Sequence, residues 1–169
     1  SFNGDKIITT GGGGAILTDD EALADHAKHL TTTAKAPHRW EYVHDQVGYN
    51  FRMPNLNAAL GCAQLEQLPE FLASKRRLFE RYRAAFADVD QVRLMQEPPG
   101  CEGNYWLQTL ILSDVMADQR GAVLQAANDA GLMTRPAWRP MNQLAPYRDC
   151  PRAPLPVAES LARRIVNLP

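Results

Sequence analysis

Residues 1–18 read SFNGDKIITTGGGGAILT, and this stretch decides the fold. A Walker-type phosphate loop needs its lysine and a hydroxyl after the glycines, so that the N-terminus of the next helix faces the phosphates. Here the order is reversed, because Lys6 precedes the four glycines at 11–14. We therefore interpret the glycines as a hairpin-like turn between two short predicted strands, residues 7–10 and 15–18.

The composition excludes several classes of protein. Eighteen Lys and Arg residues nearly cancel nineteen Asp and Glu residues, so no basic field indicates a nucleic-acid partner. No apolar run approaches the roughly 18 residues of a membrane span, and we expect no signal peptide from this pattern. Cys62, Cys101 and Cys150 are far apart, which argues against a zinc site or a disulfide framework and favours a reducing, cytoplasmic compartment.

The remaining 151 residues suggest a large-domain end followed by a smaller α/β domain. The 45% hydrophobic content is enough for a core. Helices are predicted at about 20–30, 54–68 and 70–87, with a break or kink at Pro69 because proline lacks the N–H that a helix interior needs. After a boundary near residue 90, the pattern predicts strands at 105–112 and 132–138 and helices at 117–130 and 157–166.

A long segment at 31–53 has no helical or strand periodicity but is dense in aromatic and hydrogen-bonding side chains. Flexible linkers lack such residues, so we predict that it is functional. We also expect it to need order from outside the local fold, because it has no core of its own. The small-residue helix that follows offers a self-complementary surface for a dimer.

Lys6 is the residue with the strongest indication of chemistry. The chain has only four lysines, and Lys6 lies between the polar residues Ser1 and Asn3 and an apolar stretch. A lysine fixed by a strand at a cavity can attack an aldehyde through its neutral amine. A serine five residues upstream can donate a hydrogen bond to a cofactor phosphate. A solvent-exposed charge remains the alternative for an isolated lysine.

Four ordered motifs resemble the DegT/DnrJ/StrS family of nucleotide-sugar aminotransferases: SFNGDK at 1–6, IITTGGGG at 7–14, VGYNFRM at 47–53 and NAALGCAQL at 57–65. The resemblance implies the α/β fold type I of the aspartate aminotransferase superfamily, with pyridoxal phosphate as cofactor. TTTAK at 31–35 and RPAWRPM at 135–141 resemble the branch that aminates C4 of UDP-linked 4-keto-6-deoxy-N-acetylhexosamines, toward bacillosamine or legionaminic acid.

The resemblance also implies roles for individual residues. Lys6 matches the lysine that binds the cofactor covalently, and Ser1 matches a ligand of the cofactor phosphate. Asn50 matches an asparagine that reaches the cofactor phosphate of the neighbouring subunit. A lysine at position 6 argues against the dehydratases of the family, which carry histidine there.

Three further residues are candidate substrate contacts. Arg52 is expected at a phosphate or at the sugar nucleotide, with helix capping or ion pairing as the alternative. His44 matches a histidine of many relatives, although a lone histidine is more often a structural hydrogen-bonding group. Trp138 borders the substrate entrance in this interpretation; packing within the small domain is the alternative.

We therefore expect the C-terminal half of a fold type I transferase, with residues 1–90 ending the large domain and 91–169 forming a truncated small domain. The parent is predicted to be a cytoplasmic homodimer with shared active sites, which transfers an amino group from glutamate to a nucleotide-linked 4-keto sugar in cell-surface glycan biosynthesis. The start at Ser1 without Met favours a fragment, inactive alone because the family's pyridine-nitrogen aspartate precedes the lysine. The alternative is a catalytically silent binding or dimerisation module.

Overall fold

The computed structural model describes residues 1–169, which divide into two compact units, Ser1–Phe71 and Leu72–Pro169. The first unit contains helix α1 (Glu21–Thr31), which confirms the predicted helix near 20–30. The Asp20 side chain accepts a hydrogen bond from the Leu23 amide at 3.0 Å, and basic side chains occupy the last turn. Both features are favourable for a helix because they satisfy a terminal N–H and complement the macrodipole.

The predicted strands at 7–10 and 15–18 are wrong. Residues 1–18 consist of turns, bends and irregular backbone. A strand requires a hydrogen-bonded neighbour, and nothing within the unit pairs with either stretch in a ladder. The side chains Ile16 and Leu17 are 65% and 92% exposed, so this apolar stretch also lacks a packing partner here.

Helix α2 (Asn55–Ala85) replaces the two predicted helices, so a break at Pro69 is wrong, whereas a kink at Pro69 stays a prediction. Proline removes one i to i−4 hydrogen bond, but the helix continues because the turns on either side retain theirs. The division between the two units nevertheless falls inside α2, at Phe71 and Leu72. The predicted domains 1–90 and 91–169 concern the whole protein and stay a prediction.

The second unit is built on a four-stranded antiparallel sheet. Its strands are β1 (Val92–Leu94), β2 (Gln108–Leu112), β3 (Arg135–Pro136) and β4 (Ile165–Leu168), in the order β1-β2-β4-β3. The register sets Leu94 and Val166 on either side of Leu110. Between the strands lie α3 (Arg120–Asp129), preceded by the 3₁₀ turn Asp114–Gln119, and α4 (Pro156–Arg164).

One hydrophobic core lies in this second unit, where Phe79 of α2 packs with Leu94, Leu110, Leu112 and Val166. Each of these side chains is at most 6% exposed. Aromatic residues extend the core; the Tyr105 ring stacks on Phe79 at 4.2 Å between centroids. β1 alternates between buried and exposed residues at the edge of the sheet, whereas β2, in the interior of the sheet, is buried at every residue except the half-buried Thr109.

An ion-pair cluster ties α2 to the segment before β2. Arg76 contacts Glu97 at 3.3 Å and Glu102 at 3.1 Å, and it donates to the Gly103 carbonyl at 2.8 Å. The Gly103 amide, with a smaller effect from Arg76, holds the pKa of Glu97 below its ordinary value, although desolvation opposes both. The cluster fixes the chain where it leaves the helix and approaches the sheet.

Two strands of the second unit were missed by the sequence interpretation, and others were shorter than predicted. β1 has three residues, too few for a period-2 pattern. β4 begins at Ile165, although the predicted helix extended to residue 166. The prediction was too long because Ile165 and Val166 continue the apolar spacing of α4. The predicted strand 132–138 reduces to Arg135–Pro136, and the predicted strand 105–112 to Gln108–Leu112.

None of the helices is both long enough and apolar enough to span a lipid bilayer.

Candidate functional site

The lysine segment, residues 1–14, folds back on itself. The Phe2 amide donates to the Gly13 carbonyl at 2.9 Å, and the Thr10 amide donates to the Phe2 carbonyl at 3.0 Å. Lys6 lies in the turn between them, where its amide donates to the Asn3 carbonyl at 3.1 Å. The backbone around the lysine is therefore held by its own hydrogen bonds, although it forms no strand.

The glycine cluster forms a bend in irregular backbone and not the predicted hairpin turn, because the two strands that it was expected to join are absent. Gly11 and Gly13 have φ angles of 79° and 100°, a region that side chains with a Cβ disfavour. The Gly11 amide donates to the Thr9 hydroxyl at 2.9 Å, which closes the turn locally. A Cβ at Gly13 would lie 3.1 Å from the Met53 side chain, so glycine also allows a close approach of the two segments.

Two polar side chains of α2 clamp the lysine segment, and the sequence interpretation gave them no role. Gln64 Oε1 accepts from the Thr9 amide at 3.2 Å, and Asn57 Nδ2 donates to the Thr10 carbonyl. Their spacing of seven residues places both on one face of the helix. Two polar residues at this spacing, on an otherwise apolar helix face, were the sequence signal that could have indicated a shared binding role. Thr10 is 3% exposed as a result.

Residues 31–52, here called the arm, form an irregular hairpin. Their Trp, Tyr and Phe side chains are exposed, so the expectation that this segment needs order from outside the local fold stays a prediction. Isolated bridges join Thr32 to Asn50 and Lys35 to His44. Further backbone hydrogen bonds tie the base of the arm to α1, including Tyr49 amide to Leu30 carbonyl at 2.7 Å. Ala34 is fully buried, which gives the arm a small centre of its own.

Asn50 and Arg52 lie together at the base of the arm. Arg52 Nη1 donates to Asn50 Oδ1 at 3.1 Å, and Arg52 Nη2 donates to the Thr32 carbonyl at 3.0 Å. Because the amide oxygen of Asn50 accepts from Arg52, its Nδ2 group is the part that can donate to a ligand. A guanidinium and an amide donor side by side suit a phosphate.

Two histidines, His44 of the arm and His29 of α1, connect the arm to structural partners. His44 Nδ1 lies 2.7 Å from the Thr33 carbonyl oxygen, so this nitrogen carries the proton and donates. Its Nε2 remains an acceptor in the neutral ring. His29 Nε2 lies 2.6 Å from Asp45 Oδ1 and connects α1 to the arm. The pKa of Asp45 lies below its ordinary value, chiefly because of this hydrogen bond.

Lys6 has a half-buried position that suits a chemical role. Its side chain is 26% exposed, and Nζ lies 3.9 Å from the Asp5 carboxylate. Ser1 is exposed and lies beside Gly14, since a Cβ at Gly14 would be 3.7 Å from Ser1 Cα. The N-terminal donors and the lysine thus lie on the same folded segment.

A cavity of 1010 Å³ lies in the first unit between the glycine turn, α1 and the base of the arm. Arg52 lines it together with Gly12, Gly13 and Asn57. Ser1, Lys6, His44 and Asn50 do not line this cavity, so the structure brings only Arg52 of the first-unit candidates to it.

Trp138 lies in the second unit, just after β3. Trp138 is 72% exposed, so it is not packed within the small domain, which was the alternative interpretation. The Arg135 guanidinium carbon lies 5.8 Å from the centroid of its ring. Trp138 belongs to the second unit, and the other candidate residues belong to the first.

Comparisons with known proteins agree with the motifs. The model of the DegT/DnrJ/EryC1/StrS aminotransferase family matches residues 1–169. The putative pyridoxal phosphate-dependent aminotransferase EpsN of Bacillus subtilis is 38% identical, covering 84% of this chain and 36% of the relative. GDP-perosamine synthase of Escherichia coli O157:H7 is 36% identical, covering 100% of this chain and 45% of the relative.

The fold agrees as well. The structure of Helicobacter pylori PseC, an aminotransferase involved in the biosynthesis of pseudoaminic acid, superposes with a TM-score of 0.92. It is 23% identical and covers 100% of this chain and 46% of the PseC chain, and at this identity the likeness concerns the fold. The α/β fold of sugar aminotransferases is thereby confirmed. The chain spans less than half the length of these three proteins.

Proposed function

The chain belongs to the DegT/DnrJ/EryC1/StrS aminotransferase family, and on that premise we propose that the whole protein is a pyridoxal-phosphate-dependent aminotransferase. It moves an amino group from glutamate to the C4 keto carbon of a nucleotide-linked 4-keto-6-deoxy sugar, in the biosynthesis of a cell-surface glycan. The observation that carries the proposal is the family match across all 169 residues, including Lys6. The name of the GDP-perosamine synthase relative supports a nucleotide-linked sugar.

The residues present fit the family's cofactor. Pyridoxal phosphate is the cofactor of this family, and when bound it supplies an electron sink for breaking the bond between carbon and hydrogen. The Lys6 side chain is half-buried, and the Lys6 backbone amide is held by the Asn3 carbonyl, which suits a lysine that must reach a carbonyl carbon. Asn50 Nδ2 and the Arg52 guanidinium offer N–H donors for a phosphate.

Each residue has a distinct task in this proposal. Lys6 Nζ binds the cofactor and afterwards carries the proton that moves between two carbon atoms. Ser1 donates a hydrogen bond from its hydroxyl group to the cofactor phosphate. Asn50 donates a hydrogen bond from its Nδ2 group to the cofactor phosphate of the neighbouring subunit, and Arg52, His44 and Trp138 contact the sugar nucleotide. We propose a cytoplasmic homodimer, with UDP-linked 4-keto-6-deoxy-N-acetylhexosamines as the preferred substrates.

The test uses the whole protein with and without Lys6→Ala. The parent should show an absorbance band of lysine-bound cofactor, and borohydride should reduce it so that peptide mass spectrometry finds the label on Lys6. Lys6→Ala should lose transamination and the label but keep its circular dichroism spectrum. A conserved rate in Lys6→Ala, or a label elsewhere, contradicts the role of Lys6. Absence of any label in the parent supports the silent dimerisation module instead.

Turnover of the parent on a panel of UDP- and GDP-linked 4-keto sugars tests the substrate proposal. Preference for a GDP-linked sugar without an N-acetyl group would contradict the UDP-linked assignment while leaving the aminotransferase assignment intact.

A further inference from the structure

The chain on either side of Lys6 forms a closed loop, residues 2–10, here called the lysine loop. The Phe2 carbonyl accepts hydrogen bonds from the Thr10 amide and from the Thr9 hydroxyl, each at 3.0 Å. Because Lys6 lies inside this loop, the position of its side chain depends on where the closing residues, Thr9 and Thr10, are held. The rest of the fold can therefore act on Lys6 through the backbone of these two threonines.

Helix α2 holds both threonines with one of its faces. Gln64 Oε1 accepts from the Thr9 amide at 3.2 Å, and Asn57 Nδ2 donates to the Thr10 carbonyl. Between these two contacts, a Cβ at Gly61 would lie 3.0 Å from the Thr10 methyl group, so glycine allows the helix to come this close. Positions 57, 61 and 64 follow the i, i+4, i+7 spacing of a single helix face. The closing end of the lysine loop is thus docked on α2.

The two side-chain contacts have opposite hydrogen-bond polarity. Gln64 presents an amide oxygen to an N–H group, whereas Asn57 presents an amide N–H group to a carbonyl. Both side chains are half-buried and Thr10 is 3% exposed, so the loss of either partner leaves a backbone group with poor access to water. The contacts therefore specify the position of the lysine loop more closely than apolar packing alone would.

We propose that Asn57 and Gln64 are positioning residues, which hold the lysine loop so that Lys6 Nζ stays within reach of the atoms between which it carries a proton. This inference rests on the proposed function of Lys6. Asn57 and Gln64 act through the backbone of Thr9 and Thr10. A displacement of about 1 Å at a reacting group can lower a rate on the order of a hundredfold, so a small shift of the loop is enough to matter.

The experiment compares Gln64→Met and Gln64→Glu with the parent in the whole protein. Methionine keeps the length of the side chain but removes the acceptor, so we expect kcat to fall about tenfold or more while KM for the sugar substrate stays unchanged. Glutamate retains an oxygen that accepts from the Thr9 amide, so Gln64→Glu should keep most of the kcat of the parent.

The same chemical change at position 57 should have the opposite result. Asn57→Asp replaces the N–H donor by a carboxylate that faces the Thr10 carbonyl, so kcat should fall as it does in Gln64→Met. Gln67→Met is the matched control, because Gln67 lies on the same helix but donates to the Ala63 carbonyl of that helix at 3.1 Å. It should keep the kcat of the parent.

Hydrogen exchange gives a measurement that does not depend on activity. In Gln64→Met the Thr9 amide loses its acceptor, so exchange in the peptide that covers residues 1–14 should be faster than in the parent and in Gln67→Met. The circular dichroism spectrum and the borohydride label on Lys6 should remain, because the fold and the lysine itself are intact.

The outcomes separate this proposal from the proposed function. An active parent whose kcat is unchanged in Gln64→Met, an equal loss in Gln67→Met, or an Asn57→Asp protein as active as the parent would overturn the positioning role alone. A parent without turnover and without a label on Lys6 would overturn the proposed function and this proposal with it. Gln64→Glu and Asn57→Asp each replace one terminal group, so their contrast decides the matter even where Gln64→Met does not fold.

Discussion

At Gly48 the two sides of the arm approach closely. A Cβ at this position would overlap the backbone of Thr33 and Ala34, which already have φ angles of 75° and 49°. Gly48→Ala should therefore destabilise the whole protein by roughly 1–3 kcal/mol, the usual cost of overpacking a close contact. Denaturant unfolding measures the change. Gly12→Ala is the control, because a Cβ at Gly12 meets no atom within 4 Å, and equal stability of the two variants would contradict the prediction.

The pair formed by His29 and Asp45 makes the attachment of the arm dependent on pH. The pKa of Asp45 is lowered from 3.8, first by the hydrogen bond from His29 and against a raising effect of desolvation. A depressed pKa in the folded state contributes stability that is present above the unfolded value and is lost as pH falls through the folded value. We expect His29→Gln to raise the Asp45 pKa toward 3.8.

A carboxyl titration by NMR measures that shift. His26→Gln, on an exposed side of the same helix, should leave the Asp45 pKa where it is in the parent. An Asp45 pKa that is the same in the parent and in His29→Gln would show that the hydrogen bond does not control this group.

Some site residues could be read from the sequence and others could not. Asn50 and Arg52 are two residues apart on an irregular stretch, and this spacing alone favoured their meeting. The roles of Asn57 and Gln64 were not predicted, because their partners, Thr10 and Thr9, lie 47 and 55 residues away in the chain. Single-sequence patterns report local spacing and carry no record of such distant contacts.

On the scale of elements, Pro69 lowers the stability of helix α2. Pro69 lies inside the 31-residue helix, where its missing N–H leaves one carbonyl without its partner. Pro69→Ala should raise the free energy of unfolding by about 1–3 kcal/mol, since proline is about 3 kcal/mol less favourable than alanine in a helix interior. Pro54→Ala, just before the first turn, removes no interior hydrogen bond and serves as the control in the same denaturation experiment.

A loss of stability in Pro69→Ala would mean that a bend at Pro69 is part of the native packing. The sequence predicted a break here because proline weakens any isolated helix. The prediction of strands at 7–10 and 15–18 was wrong for a different reason. β-branched residues favour an extended backbone, but an extended segment becomes a strand only when a neighbouring segment pairs with it.

On the scale of the whole molecule, the proposed homodimer has a measurable consequence. If Asn50 acts on the cofactor held by the partner's Lys6, then Lys6→Ala and Asn50→Ala proteins should regain activity when mixed. Random equal mixing makes half of the dimers mixed, each with one intact site, so the recovery should approach about a quarter of the parent's sites. Activity of the mixture is compared with that of each variant alone, after subunit exchange is demonstrated by mass spectrometry.

Failure to recover after exchange would place Asn50 on the same chain as its cofactor or outside the site.

The sequence predicted the fold class correctly, but it did not predict every element or the order of the strands. The resemblance of the motifs gave the α/β fold of the family, and the chain's own pattern gave α1 and the approximate positions of α3 and α4. The central position of β4 had no local signal, because strand order depends on contacts between distant segments.

The place of β4 in the sheet bears on how the protein is synthesised. β4 separates β2 from β3, and it lies at residues 165–168, long after the two strands that it joins. On the ribosome, β1 and β2 can pair early, whereas β2 keeps one unpaired edge until the last of these four residues has left the exit tunnel. During translation that bare edge is open to association with other nascent chains, and chaperone protection matters most in this interval.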